Sequence, residues 1–183
     1  MNGTRVPSVR GPFRCMAADP PWMHDDSLPG KTRGAAKNYS CLSFEEIRDF
    51  PIPPMMDDAY LFLWRVSSMV EEAYAVARAW GFDRVDSEIV WRKLTKNGLV
   101  QFGMGRAATR QSHETCIIAR RGSPSRRSGS VRSIFDAPIG RHSEKPKEFF
   151  SIVEELAWGP YVELFARERR SGWVSLGDQV PKK

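Results

Sequence analysis

Phe13-Arg14-Cys15-Met16-Ala17-Ala18-Asp19-Pro20-Pro21-Trp22 is the stretch on which the fold turns. The run 13–18 is short and mostly apolar, so it reads as a buried strand. Its stop is chemical. Proline lacks an amide N–H and holds φ fixed, so neither Pro20 nor Pro21 extends a sheet ladder. A carboxylate, two stiff backbone carbonyls and an indole are thereby held at a strand's C-terminal edge. In open α/β sheets that edge is where ligands bind.

Outward from this stretch, strand and helix patterns alternate. The runs 59–64, 87–93 and 114–121 read as strands by length and by aromatic or β-branched content. Ile134-Phe135 begins a short strand, 161–166 alternates apolar with polar residues, and 173–177 forms a last short segment. Ser43-Phe44-Glu45-Glu46 opens a helix, with Ser43 as N-cap and Glu46 at the capping-box position. A second helix is expected from Ser67, as its cap, to Gly81. Its apolar face is Met69, Val70, Ala73, Tyr74, Ala77 and Trp80. A third opens at Pro146, with Phe149, Phe150, Val153, Leu156 and Ala157 on one face. The alternation predicts an α/β fold with a largely parallel sheet. Residues 1–12 read as an arm and 13–180 as one domain, the simplest division of 183 residues.

The formal net charge of +6 favours polyanionic partners. Basic residues gather in 23–42, in 94–112 and from Arg126 to Arg132, three regions expected around the site. Residues 120–132 read as an exposed, mobile loop. Cys15, Cys41 and Cys116 form no C-x-x-C pair, which predicts a reducing, cytoplasmic setting. No apolar run nears the roughly 20 residues that span a bilayer, and the first residues show no signal-peptide pattern. His24, His113 and His142 lack metal-site spacing, so no metal is expected. Gly103-x-Gly105 lacks the remaining glycine of a dinucleotide fingerprint.

The chemistry that suits the opening stretch is methylation of an exocyclic aryl amine. The nitrogen lone pair of such an amine is delocalised into the ring. Two acceptors that take hydrogen bonds from both N–H groups favour the tetrahedral nitrogen that attacks a methyl. The Asp19 carboxylate and the Pro20 carbonyl are such a pair. Trp22 offers a stacking face, worth roughly 1–3 kcal/mol for a base. A sulfonium methyl donor is compatible with a nearby carboxylate and aromatic faces, and the reactive base must be unpaired or flipped.

Ala18-Asp19-Pro20-Pro21-Trp22 closely resembles the defining motif of the DPPW-motif adenine-N6 methyltransferases. Further stretches carry the likeness in the family's order: Asn38-Tyr39 with Leu42-Ser43, Leu61-Phe62-Leu63-Trp64, Trp80-Gly81-Phe82, Val90-Trp91-Arg92-Lys93, Glu114 with Cys116-Ile117-Ile118, Lys145-Pro146, and Glu163-Leu164-Phe165-Ala166-Arg167 with 173–179. The resemblance implies a Rossmann-like S-adenosylmethionine-dependent methyltransferase fold with helices on both faces. It also implies a permuted motif order, catalytic loop first and cofactor strand last.

By resemblance, Asp19, Pro20, Pro21 and Trp22 form the catalytic loop. Tyr39 and Glu114 border the adenine, with His113 and Arg110 as further substrate contacts. Lys145 meets the carboxylate of S-adenosylmethionine beside a helix N-terminus. Asp19, Glu163, Phe165, Arg167, Asp178 and Gln179 complete the cofactor site, although Phe165 also reads as core. Asp178 stands where the family often has Asn. The segment after Arg167 is shorter than in the eukaryotic members, and Arg169 and Arg170 are left between two roles, the ribose or phosphates. The expected substrate is adenine in DNA, with RNA as the alternative. A non-catalytic nucleic-acid-binding subunit is the competing class. A homodimer or a partner subunit is expected to help, and no membrane partner is.

Overall fold

A computed structural model describes residues 10–23, 41–103, 108–141 and 144–181. Its strands are β1 (Phe13–Ala18), β2 (Met55–Arg65), β3 (Arg84–Leu94), β4 (His113–Arg121), β5 (Ile134–Pro138), β6 (Tyr161–Leu164) and β7 (Trp173–Leu176). The helices are α1 (Phe44–Arg48), α2 (Val70–Ala79) and α3 (Lys147–Leu156). All the strands join one sheet in the order β5-β3-β4-β2-β1-β6-β7. β1 lies parallel to both β2 and β6, as β3 does to β5 and β6 to β7. β4 alone runs against its neighbours, β2 and β3.

The central strands are apolar at consecutive positions because both faces of the sheet are covered. On one face Met16, Leu61, Leu63, Ile117 and Val162 pack with Ile47 of α1 and Ala73, Val76 and Ala77 of α2. On the other, Cys15, Ala17, Phe62, Trp64 and Cys116 pack with Phe149, Phe150 and Val153 of α3. Each large side chain so buried contributes roughly 1.5–3 kcal/mol. Among the described residues no helix is long and apolar enough to cross a membrane.

Sheet order places the site. From β1 the chain moves through α1 to β2 on one side, and from β6 it moves to β7 on the other. The sheet therefore reverses its winding between β1 and β6, and ligands bind outside the strand ends at such a reversal. Ala18, the last residue of β1, pairs with Leu63 on one flank and Leu164 on the other. Asp19 thus emerges between Trp64 and Phe165.

Several local expectations are met and others are corrected. Ser43 caps α1 as predicted: its hydroxyl accepts from the Glu46 amide at 3.2 Å, and Glu46 accepts from the Ser43 amide at 2.8 Å. Ser67 does not cap α2; Met69 holds that position, and the Ser67 hydroxyl donates to Gln111 Oε1 at 3.0 Å instead. β6 stops at Leu164, because Phe165 turns to φ +62°.

The arginine-rich segment 120–132 is neither loose nor beside the site. β4 is antiparallel, so Thr115 pairs with Arg65 near the Asp19 end while Arg121 pairs with Ala59 at the opposite end. The segment beyond is tethered there. Tyr60 donates its hydroxyl to the Pro124 carbonyl at 3.0 Å. The Arg127 amide donates to Leu156 at 2.8 Å, and the Arg127 guanidinium to the Glu154 carbonyl at 3.1 Å.

Gly177, just past β7, leaves no room for a side chain. A β-carbon there would overlap the Ala166 carbonyl oxygen and lie 2.7 Å from its nitrogen. Gly177→Ala is expected to cost about 1–3 kcal/mol through forced backbone shifts, read as a lower urea midpoint with an unchanged slope.

Candidate active site

Residues 19–22 are pinned by their own backbone. The Trp22 amide donates to the Pro20 carbonyl at 2.8 Å, and the Leu42 amide to the Pro21 carbonyl at 2.8 Å. The Met23 amide returns a bond to Leu42 at 2.9 Å. A carbonyl oxygen has two lone pairs, so the Pro20 oxygen keeps one for a further donor.

Trp22 lies elsewhere than a stacking face requires. Its side chain is in the core, 4% exposed, and its indole N–H donates to the Trp64 carbonyl at 2.9 Å. Apolar area and one buried hydrogen bond hold the ring inside. The expectation that it stacks on a base is corrected: Trp22 fastens the loop to the end of β2.

Asp19 sits in an ion-pair chain. Lys145 Nζ is 2.7 Å from Asp19 Oδ2 and 3.2 Å from Glu114 Oε2. Glu114 Oε1 is in turn 2.6 Å from Lys93 Nζ. The antiparallel run of β4 makes this possible, because it sets Glu114 beside Trp91 at the end of the sheet where β1 also finishes. Burial pulls the Lys145 ammonium toward neutrality, but Asp19 and Glu114 outweigh it and hold its pKa above the ordinary lysine value. Burial likewise pushes Glu114 toward protonation, and Lys145 and Lys93 more than offset that, leaving it below the usual carboxylate range. Lys145 Nζ also lies 5.2 Å from the Trp64 ring centroid, a cation–π contact.

A cavity of about 330 Å³ opens at the reversal of the sheet. Asp19, Lys145, Glu163, Phe165, Arg167 and Gln179 line it together. Those predicted residues, far apart in sequence, are therefore brought to one place. Asp178 is exposed and not on the wall. Arg110 and His113 are also exposed, near the start of β4, and do not line the cavity. Glu114 reaches it only through Lys145. Tyr39 lies outside the described residues, as does most of the basic segment 23–42.

Sequence reasoning missed several wall residues: Trp64 at the end of β2, Phe149 and Phe150 at the start of α3, and Arg141, Glu144 and Glu168 in connections. Trp64 was legible in principle, being the last core residue of the strand beside β1. The phenylalanines read as core from their helical spacing, and they are both core and wall. Lys93, the second partner of Glu114, carried no signal of its own.

Glu163 is the electrostatically uncomfortable member. Burial pushes its carboxyl up to about 7; Arg170 opposes this, and Asp19 and Glu168 add to it. The nearest Arg170 nitrogen, Nε, is 3.9 Å from Glu163 Oε2, too far for a hydrogen bond.

A mostly parallel sheet with helices on both faces, a small-molecule cavity at its reversal, the Asp-Pro-Pro-Trp strand first and the cavity-closing strand last together define a Rossmann-like methyltransferase fold with permuted order. The chain belongs to the MT-A70 family, whose model matches residues 13–179. It is similar to the N(6)-adenosine-methyltransferase subunit METTL3 of Danio rerio, 31% identical over 178 residues that cover 94% of this chain and 29% of that protein. A second relative is the type II methyltransferase M.MunI of a Mycoplasma species, 25% identical over 191 residues, 94% of this chain and 79% of that protein. A third is the N6-methyladenosine RNA methyltransferase MTA1 of Cryphonectria parasitica, 28% identical over 184 residues, 93% of this chain and 52% of that protein. The chain thus spans less than a third of METTL3.

The raised Glu163 pKa has a sign that can be measured. Between about 4.5 and about 7 the folded state holds a proton that the unfolded chain has released. Stability from this group therefore falls as pH rises through that window and is flat above it. Wild-type protein is expected to lose at most about 3 kcal/mol relative to Glu163→Gln across the window. Paired urea melts from pH 4.5 to 8 check it; parallel curves would remove the assignment.

Proposed function

We propose that this chain is an S-adenosylmethionine-dependent methyltransferase acting on N6 of adenine, in DNA, carried by one domain over 13–180. The observation that carries the reading is the placement of Asp19 on the wall of the cavity, next to a Pro20 carbonyl with a lone pair to spare.

The wall fits a nucleoside-bearing sulfonium. Its volume of about 330 Å³ is within the roughly 300–1,000 Å³ of small-molecule pockets. It presents carboxylates and aromatic faces, and two buried atoms of its residues, Glu163 Oε2 and Arg170 Nε, lack a hydrogen-bond partner. Bound S-adenosylmethionine supplies an electrophilic methyl group on positively charged sulfur.

The chain's own residues do the rest. Lys145 donates to Asp19 Oδ2, fixing the plane of the carboxylate. Oδ1 and the Pro20 carbonyl then accept from the two N–H groups of the target amine, localising its lone pair. A proton leaves the nitrogen after transfer, with Asp19 the nearest base. Trp22, clamped by Trp64, holds both acceptors at the strand end. The base reaches them only when out of its stack.

DNA is the first reading because the chain spans 79% of a type II methyltransferase and carries +6 net charge. The likeness to an RNA methyltransferase favours RNA as the second. Transfer of radiolabelled methyl groups to DNA and RNA oligonucleotides separates them. Asp19→Ala is expected to lower transfer at least about 100-fold, the scale for losing a transition-state hydrogen bond in a closed site, with an unchanged circular dichroism spectrum. Transfer by that variant at the wild-type rate would remove Asp19 from the mechanism. A wild-type protein that binds the methyl donor and modifies neither polymer would instead favour a binding subunit.

A further inference from the structure

Lys93 lies two ion pairs away from Lys145 and takes no part in the cavity wall. It belongs to β3, and Glu114 faces it diagonally from β4, because the direct partner of Glu114 is Trp91, two residues earlier. Diagonal neighbours on one face of a sheet meet when a side chain is long. Asp19 and Lys145 line the cavity, whereas Lys93 and Glu114 do not.

The Lys93 side chain is held at both ends. Its amide donates to the Ser112 carbonyl and its own carbonyl accepts from the Gln101 amide, both at 2.9 Å. Nζ lies 5.5 Å from the centroid of the Trp91 ring. That ring is itself fixed, its Nε1 donating to the Ala137 carbonyl at 2.9 Å. The ammonium is thereby seated 2.6 Å from Glu114 Oε1, and only 24% of the side chain is exposed. Burial disfavours the charged form of Glu114, and Lys145 and Lys93 offset it.

Two carboxylates compete for the Lys145 ammonium. Asp19 Oδ2 is 2.7 Å from it and Glu114 Oε2 is 3.2 Å away. Glu114 makes its shorter contact with Lys93 and its longer one with Lys145, so its charge is divided between two cations. We infer that Lys93 is a positioning residue for methyl transfer: by engaging Glu114 it leaves Lys145 to Asp19. This rests on the methyltransferase reading and extends the site to a side chain outside the cavity. Without Lys93 the whole charge of Glu114 acts on Lys145, draws the ammonium from Asp19 and frees the carboxylate that must accept from the target amine.

Lys93→Met keeps the stem over Trp91 and removes the charge. It is expected to lower kcat for methyl transfer about 10-fold, on whichever oligonucleotide the wild type modifies, with KM for oligonucleotide and donor unchanged. Lys93→Arg should recover most of that loss. In a Glu114→Gln background the same substitution should add little, because the charge through which it acts is already gone. An equal loss in that background places Lys93 outside the Glu114 path, and a loss confined to KM makes it a substrate-binding charge; either overturns the role. Should Lys93→Met not fold, Lys93→Gln takes its place. Crystal structures of wild type and variant read the positioning without turnover. The Lys145–Asp19 contact is expected to lengthen past about 3.2 Å, the usual limit for N–H···O, and an unchanged contact overturns the role. Wild-type protein that modifies neither DNA nor RNA overturns the methyltransferase reading instead, and the pair of crystal structures still decides what Lys93 does to Lys145.

Discussion

The ammonium of Lys145 holds the site together. It is 10% exposed and lies between two carboxylates, Asp19 at 2.7 Å and Glu114 at 3.2 Å. A lone buried cation is expensive, and removal of one partner from such a pair leaves a charge with little solvent to stabilise it. The contact ties the end of β1, the start of β4 and the residue before the α3 N-cap to one point. Through Glu114 it also reaches Lys93 on β3. Two carboxylates and two ammonium groups alternate along the chain, so each charge sits beside its opposite. The contact with Lys145 fixes the direction of the Asp19 carboxylate.

That network needs the one antiparallel strand. In a wholly parallel sheet the first residues of β4 would lie at the far end, and Glu114 with them. Because β4 runs backwards, its N-terminus joins the C-termini of β1, β2 and β3. The same reversal carries Arg120 and Arg121 away from the cavity, together with the tethered segment that follows. The charge expected around the site is therefore divided between the two ends of the sheet. Of the described basic residues, Arg141, Lys145, Arg167 and Arg170 line the cavity.

The cavity's other wall depends on backbone conformation past β6. Phe165 adopts φ +62°, a region that costs a non-glycine residue of order 1 kcal/mol or more and tends to persist where surrounding packing enforces it. Its ring meets Phe50 with centroids 4.7 Å apart, which anchors the turn. Ala166 then lies against Gly177. The close approach of these two segments sets Arg167 and Gln179 on the same wall.

Much of the fold was legible in the sequence, because strand length, helical spacing and capping are local properties. Short apolar runs marked buried strands, and their alternation with helical patterns marked a largely parallel sheet. Ser43 with Glu46 marked a helix start, and the prolines after Asp19 marked the end of the first strand. The candidate residues were legible one by one, and Asp19, Lys145, Glu163, Phe165, Arg167 and Gln179 line one cavity. The role of Trp22 was not: an indole after two prolines fits a stacking face and a buried clamp equally until its neighbours are known. Nor were the partners of Lys145, whose expected anion was a ligand and whose anions here are Asp19 and Glu114. The sequence by itself determined which segments become strands and helices and which side chains carry charge, through backbone sterics and the burial of apolar surface. Tertiary structure alone decided which charges meet, because strand order and direction bring together residues separated by 126 positions, as Asp19 and Lys145 are, and no local pattern encodes that distance.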